Sequence, residues 1–191
     1  MTAFLSDDLV NLRGLRREDL ICYRDWIDDP SVTLFMEMGW KPLGDADLER
    51  TYIEATQAAD TVCMVIEERA TGSAIGTCGL YLINWPGRRA QFRILIGKPS
   101  LFGKGYGTAA TKLIVRYGFD RLNLETIYLG ANADNKGALR AYEKAGFKVD
   151  GVQPHFVFNN GRYYDSVMMS ITRGRYLADA AADAAGTKAG S

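Results

Sequence analysis

A run of β-prone residues, Arg89-Ala90-Gln91-Phe92-Arg93-Ile94-Leu95-Ile96-Gly97, leads toward the glycine-rich stretch Phe102-Gly103-Lys104-Gly105-Tyr106-Gly107-Thr108. Behind it, between Ala109 and Arg121, Ala110, Leu113, Ile114 and Tyr117 recur at the three-or-four spacing of an amphipathic helix. A strand that feeds a glycine loop at a helix start makes an anion site. The glycines let the backbone approach closely, and the unpaired N–H groups of the first helical turn point at whatever sits there. A diphosphate is the usual guest. Two phosphate loops fail on spacing. Walker A needs Gly-Lys-Ser/Thr, whereas Lys104 lies between glycines, and the dinucleotide fingerprint needs Gly-x-Gly-x-x-Gly where this chain has Gly-x-Gly-x-Gly.

A second motif lies downstream: Asn132-Ala-Asp-Asn135-Lys-Gly-Ala138-Leu-Arg-Ala-Tyr142-Glu-Lys144-Ala-Gly146-Phe147. It resembles the Asn-x-x-Ala-x-x-x-Tyr-x-x-x-Gly-Phe segment of the GNAT N-acetyltransferases. The stretch Gly103 to Thr108 is similar to that family's acetyl-CoA pyrophosphate loop, Arg/Gln-x-x-Gly-x-Gly/Ala, with Gly105 and Gly107 in the small positions. Phe102 stands where Arg or Gln is commoner, as in a bacterial branch that includes spermidine, amino-sugar and ribosomal-protein N-terminal acetyltransferases. Phe156-Val-Phe158-Asn-Asn-Gly161-Arg-Tyr163 echoes the spermidine enzymes in particular. The similarity runs from about Val10 to Tyr176.

The resemblance implies acetyl-CoA as acetyl donor and no metal. It places the cofactor against Ile94, Leu95 and Ile96 on the strand, Phe102 to Thr108 in the loop, and Asn135, Ala138, Tyr142 and Lys144 on the following helix. Acetyl transfer needs a neutral amine, a polarised thioester carbonyl and a proton for the departing thiolate. Tyr142 occupies the family's general-acid position, and a phenol is protonated at neutral pH. A backbone N–H within Arg93 to Ile96 would polarise the carbonyl. Asn135 would bond the pantetheine arm, cap its helix, or do both. Lys144 could neighbour a phosphate, but an exposed helix lysine is the simpler reading, and Lys104 is similarly ambiguous because the loop cradles with amides and not with its side chain.

The base is less defined. Relatives acting on polyamines carry Glu where this chain has Gln91, and Gln takes no proton. A water chain, Glu37, His155 or an amine that arrives neutral fills the role. The family places the segment after Pro30 over the acceptor, so Phe35, Met36 and Trp40, with Gln91, form the expected acceptor wall. An uncharged wall suits an amino sugar or other small primary amine; a polyamine and a protein N-terminus are the alternatives. A CoA-binding regulatory module without turnover is the reading from a different class.

The rest of the chain alternates strand and helix. Val10–Arg13 reads as a strand, Arg17 to Ile27 as a helix stopped by Asp28-Asp29-Pro30, and Asp45 to Ala59 as another helix. Val62–Ile66, Ile75–Trp85 (bent at Gly79) and Ala90–Ile96 are strands. After the glycine loop come the strand Thr126–Leu129, the helix Asn135–Ala145 stopped by Gly146, and a hairpin about Asn159-Asn160-Gly161. The expectation is α+β, a GNAT fold: a mixed, twisted sheet with helices on both faces and a splayed strand pair that takes acetyl-CoA. Residues 1–176 form one domain, and 177–191 an Ala-rich tail expected to fray.

Composition narrows the partners. Twenty-three basic residues balance 23 acidic ones, so no basic face for nucleic acid is advertised. Apolar runs fall short of a membrane span, and the N-terminal residues lack the pattern of a signal peptide. Three cysteines without metal spacing suit free thiols in a cytoplasmic protein, and a single His leaves little for zinc or a Ser-His-Asp triad. The aromatic hairpin at Phe156, Phe158, Tyr163 and Tyr164 carries more apolar surface than a sheet edge usually leaves to water, so a homodimer is expected.

Overall fold

Strand residues with alternating burial dominate the chain, and in the computed structural model, which describes residues 3–188, they build one mixed sheet. In chain order the elements are β1 (Leu5–Ser6), β2 (Val10–Gly14), α1 (Asp19–Asp28), α2 (Pro30–Thr33), α3 (Asp45–Gln57), β3 (Val62–Glu68), β4 (Ala74–Asn84) and β5 (Arg89–Ile96). Then follow α4 (Tyr106–Asp120), β6 (Thr126–Asn132), α5 (Lys136–Lys144), β7 (Lys148–Asn159), β8 (Arg162–Thr172) and α6 (Arg173–Lys188). The strand order is β1-β2-β3-β4-β5-β6-β8-β7. Every pairing is antiparallel except β5–β6, which α4 connects as a crossover. This is the α+β GNAT architecture that the motifs imply.

The two-residue period of the strands sends alternate side chains to opposite layers. Phe92 on β5, with Leu80, Ile127, Leu129, Phe147, Met169 and Ile171, packs on Ile114 and Phe119 of α4 in the main core. Each such fully buried side chain contributes about 1.5–3 kcal/mol. Leu95 points the other way, into a smaller cluster with Trp26 and Ile27 of α1 and Val32 of α2. The start of α1 is locked down by charge. Both guanidinium Nη atoms of Arg13 donate to Asp19 at 2.8 Å, and its Nε donates to Glu67 at 2.5 Å. Burial works against the Asp19 charge, but the hydrogen bonds from Arg13 and the Arg16 N–H outweigh it and hold its carboxyl below the usual range.

Four differences from the sequence reading have physical causes. Helix α4 begins at Tyr106, inside the glycine motif, so the last residues of the expected loop are already the first helical turn. The irregularity of β4 falls at Leu82 (φ 51°), where register slips between Tyr81 and Asn84, and not at Gly79. Gly79 serves close strand approach instead: a Cβ there would meet the Val62 carbonyl oxygen at 2.2 Å. β7 starts at Lys148, well before Phe156. The tail expected to fray is helical through Lys188 because its first turn is docked, while 189–191 lie outside the described residues. Tyr176 stacks on Phe119 at 5.0 Å and Arg173 Nη1 donates to the Phe119 carbonyl at 2.6 Å, which gives an Ala-rich helix its nucleus.

Candidate active site

The glycine loop is built to present amides. Gly103 and Gly105 adopt φ of 74° and 93°, conformations that glycine reaches without steric cost. Gly105 precedes the first turn of α4, and its carbonyl accepts the Ala109 N–H at 2.9 Å. Among the described residues, the N–H groups of Gly103, Gly105, Tyr106, Gly107 and Thr108 have no backbone acceptor. The Tyr106 side chain is turned away, its hydroxyl donating to Glu68 at 2.5 Å. That bond, with a second from Thr71, keeps the Glu68 carboxyl below its ordinary value. Phe102 is exposed at the end of a 3-10 turn, Pro99–Leu101, and Lys104 is also exposed. A ring of free amides at the positive end of a 15-residue helix fits a diphosphate, and the fit is carried by backbone.

Beside the loop, β5 and β6 part. Their parallel pairing covers only Arg89 with Thr126, Ala90 with Ile127 and Gln91 with Tyr128. Beyond Gln91 the edge of β5 that faced β6 has no strand partner, although β5 runs on to Ile96 and β6 to Asn132. The N–H groups expected to polarise a carbonyl, within Arg93 to Ile96, lie on this freed stretch. An extended thioester arm has a strand-like slot to enter.

Tyr142 sits on α5 on the core side of this opening. Its ring meets Phe92 edge-on at 6.1 Å and Phe147 at 6.2 Å. Desolvation alone pushes its phenol up to about 12, so it stays protonated at any physiological pH. Asn135 caps the helix: its Oδ1 accepts the Ala138 N–H at 3.0 Å, which leaves its amide donor available. Lys144, in the last turn of α5, is exposed.

The acceptor side is reached from the opposite layer. Gln91, half-buried, and Arg93, exposed, share a face of β5 with Leu95, which packs under α1 and α2. Gln91 Oε1 accepts from Arg93 Nε at 2.9 Å and Nη2 at 2.6 Å, so its first task is to fix that arginine. A cavity of about 340 Å³ lies between the end of α1, α2, the following loop and the hairpin tip, with Asp28 and Lys41 in its lining. Of the predicted aromatic–methionine segment it is Leu34 and Met38 that line it. Met36 packs on the Trp26 cluster, Phe35 is half-buried, and Trp40 is 81% exposed, with Lys41 Nζ 5.7 Å from its ring. Glu37 is exposed on the same loop. His155 stands apart, in a smaller cleft with Asp134, Tyr163 and Asp165.

Two residues escaped the sequence reading. Asn159 Nδ2 donates to the carbonyls of Thr33, Leu34 and Met36 at 2.9–3.2 Å, tying the hairpin tip to the roof over the acceptor side. Its contacts span more than 120 residues of chain, so no local signal announces them. The Arg93 side chain was legible in principle, two positions beyond Gln91 on one strand face.

Comparison with known proteins agrees with this geometry. The acetyltransferase (GNAT) domain model matches residues 10–148. The spermidine N(1)-acetyltransferase of Escherichia coli (strain K12) is 35% identical over 170 residues, 89% of each protein. The crystal structure of the Vibrio cholerae spermidine N-acetyltransferase with CoA and spermine superposes with a TM-score of 0.80 at 30% identity, covering 90% of this chain and 99% of that one. A dodecameric structure of the same Vibrio enzyme superposes at 0.75, with 30% identity over 90% and 98% of the two chains. The match runs through both motifs and most of the fold, and it settles the family: the chain belongs to the GNAT acetyltransferases, enzymes that take their acetyl group from acetyl-CoA.

Proposed function

We propose that this chain acetylates a primary amine of a small molecule by direct attack. The observation that carries the reading is the parting of β5 from β6 after Gln91, with the free amides of Gly103 and Gly105–Thr108 on one side and the Tyr142 phenol on the core face. Acetyl-CoA supplies an activated thioester and a thiol leaving group. The loop amides hold the diphosphate, Asn135 the pantetheine arm, and the freed N–H groups of β5 the carbonyl oxygen. Tyr142 keeps a proton at its phenol oxygen for the departing sulfur. Neither Gln91 nor the exposed Glu37 is arranged as a base, so the amine sheds its proton to solvent before it attacks.

Two observations bear on the acceptor. The names of the relatives support a polyamine, and they do so better than they support the amino sugar read from the uncharged wall. The acceptor face itself carries Gln91 and Arg93, which supports an amine without further positive charge. Thiol release from acetyl-CoA, followed with a thiol-reactive dye across amines of both kinds, tests the assignment. Release stimulated by at least one amine is expected, and a panel that gives none would return the chain to the CoA-binding regulatory class. Val149, Val152, Phe156, Phe158 and Tyr163, each more than half exposed on the β7 edge and its hairpin, support self-association through that edge, whether as the expected homodimer or as a larger assembly.

A further inference from the structure

The acids on the acceptor side, Asp28 and Glu37, belong to α1 and to the loop after α2, and not to the two strands that flank the opening. Neither β5 nor β6 contains an Asp or Glu. Arg93 stands two residues beyond the last β5–β6 pair, exposed, on the strand face it shares with Leu95, which packs under α1 and α2. Its guanidinium is held from two directions: two donors grip Gln91 Oε1, and Cζ lies 4.8 Å from the centroid of the Tyr81 ring. Among the described residues no carboxylate pairs with it. Ordering a long side chain costs rotamer entropy, and here no ion pair offsets that cost.

A second surplus donor lies across the opening. Asn132 ends β6, on the strand face it shares with Tyr128 and hence with Gln91. It is 3% exposed, and its Oδ1 accepts the Asp134 N–H at 2.9 Å. Its Nδ2 is buried and without a partner among the described residues. The hydroxyl of Ser166, its register partner on β8, has only the Met168 sulfur, at 3.9 Å. Arg93 on β5, and Asn132 and Ser166 on β6 and β8, thus leave polar groups underused on the same side of the sheet, and neither β5 nor β6 adds an acid to them. A second ammonium would meet Arg93 there and find nothing on either strand to neutralise it.

We propose that the acceptor amine also carries an anionic group, a carboxylate or a phosphate, that Arg93 receives while the amino group faces the thioester. The planar fork of a pre-fixed guanidinium matches either oxyanion. The proposal rests on the acetyltransferase reading and selects, within it, acidic amines over the polyamines that the relatives' names suggest.

The test is a matched acceptor panel read by thiol release: β-alanine against propylamine, phosphoethanolamine against ethanolamine, and spermidine. The wild-type chain should favour an anionic member over its neutral partner by about tenfold or more in kcat/KM, chiefly through KM. The two pairs tell carboxylate from phosphate. Arg93→Gln should erase most of that ratio, Arg93→Lys should restore part of it, and Arg93→Glu should turn preference toward spermidine. Arg116→Gln, which removes the same charge from the exposed face of α4, should keep the ratio. Stabilisation of each variant by acetyl-CoA confirms that it is folded. Preference of the wild type for spermidine over both anionic amines, or a ratio unmoved in Arg93→Gln, overturns the proposal. Should no amine react, the small-amine reading fails by itself, and melting with CoA present decides the anion site. A rise with β-alanine or phosphoethanolamine in the wild type but not in Arg93→Gln upholds it, and no rise in either overturns it.

Discussion

Replacing Tyr142 with Phe removes one oxygen and nothing else from the opening. The ring contacts with Phe92 and Phe147, at 6.1 and 6.2 Å, survive. Among the described residues nothing hydrogen-bonds the hydroxyl, so the free protein loses no bond, and its melting temperature should hold or rise slightly. The catalytic cost follows from two acidities. Burial sets the phenol at about 12, whereas a departing thiol lies near the cysteine value of roughly 8.5. Full transfer between those values is uphill by about 5 kcal/mol. Tyr142 therefore acts mainly by hydrogen-bonding the charge that develops on sulfur, which places its worth near the low end of general-acid contributions, about 10²-fold. Because the proton stays on the phenol up to about 12, the wild-type rate should climb with pH as the amine is deprotonated, with no falling limb from Tyr142. The assay is initial-rate thiol release at saturating amine, beside the melting shift with acetyl-CoA. Turnover should fall about a hundredfold with cofactor stabilisation intact, and the deficit should shrink for an acyl donor whose leaving group needs no proton. A Phe variant that keeps its rate would refute the assignment, and one that loses cofactor stabilisation would make Tyr142 a binding residue.

Acetyl-CoA at about 100 times its dissociation constant should stabilise the fold by about 2.7 kcal/mol. Gly107→Val should abolish most of that shift while the free variant still folds, because a Cβ at this position has only Ile96 Cγ1 nearby, at 4.0 Å; an undiminished shift would remove the loop from the cofactor site. Light scattering at micromolar concentration should give a mass above the 21.1 kDa of one chain, and a monomer would dispose of the β7 edge as an interface. Asp19→Asn should cost about 1–2 kcal/mol in urea unfolding by leaving the half-buried Arg13 with Glu67 as its one carboxylate partner. The Asp19 carboxyl is depressed in the folded state, so its contribution is in place above the unfolded value of 3.8 and fades as pH falls through the lower folded value. Acid unfolding that is the same in Asp19→Asn and wild type would show that the pair contributes nothing.

Much of this architecture is legible because short-range rules govern it. Asn160-Gly161 turns the β7–β8 hairpin with φ of 48° and 80°, the pair of positive values that a two-residue turn requires, and Gly146 ends α5 at φ 97°. The proposed cofactor half of the site is readable as motifs for the same reason: the Gly103–Thr108 loop and the Asn135–Tyr142 helix are each continuous in sequence. The acceptor half is not. Its roof is held by Asn159 reaching back to carbonyls of Thr33, Leu34 and Met36, and backbone carbonyls carry no sequence signature. Residue type alone therefore points to Phe35, Met36 and Trp40, whereas Leu34 and Met38 line the cavity beside this clamp. The bend in β4 was misplaced for a related reason. Gly79 looks like a flexible point, but what it answers is the approach of β3, a contact set by the sheet.

Alternation along β5 explains how one strand serves both halves. Phe92 faces the core that supports Tyr142, while Gln91, Arg93 and Leu95 face the acceptor side beneath α1 and α2. A two-residue period makes these sets structurally independent, since a substitution on one face leaves the side chains of the other in place. The cofactor, meanwhile, is held largely by amides, whose positions depend on backbone conformation and not on the side chains of β5. On the proposed reading, the chemistry of acetyl transfer stays fixed while the charge at positions 91 and 93 selects what is acetylated. Close overall similarity to spermidine enzymes is compatible with the different acceptor proposed above for that reason: the similarity is spread over a whole fold, whereas the proposal turns on one face of β5.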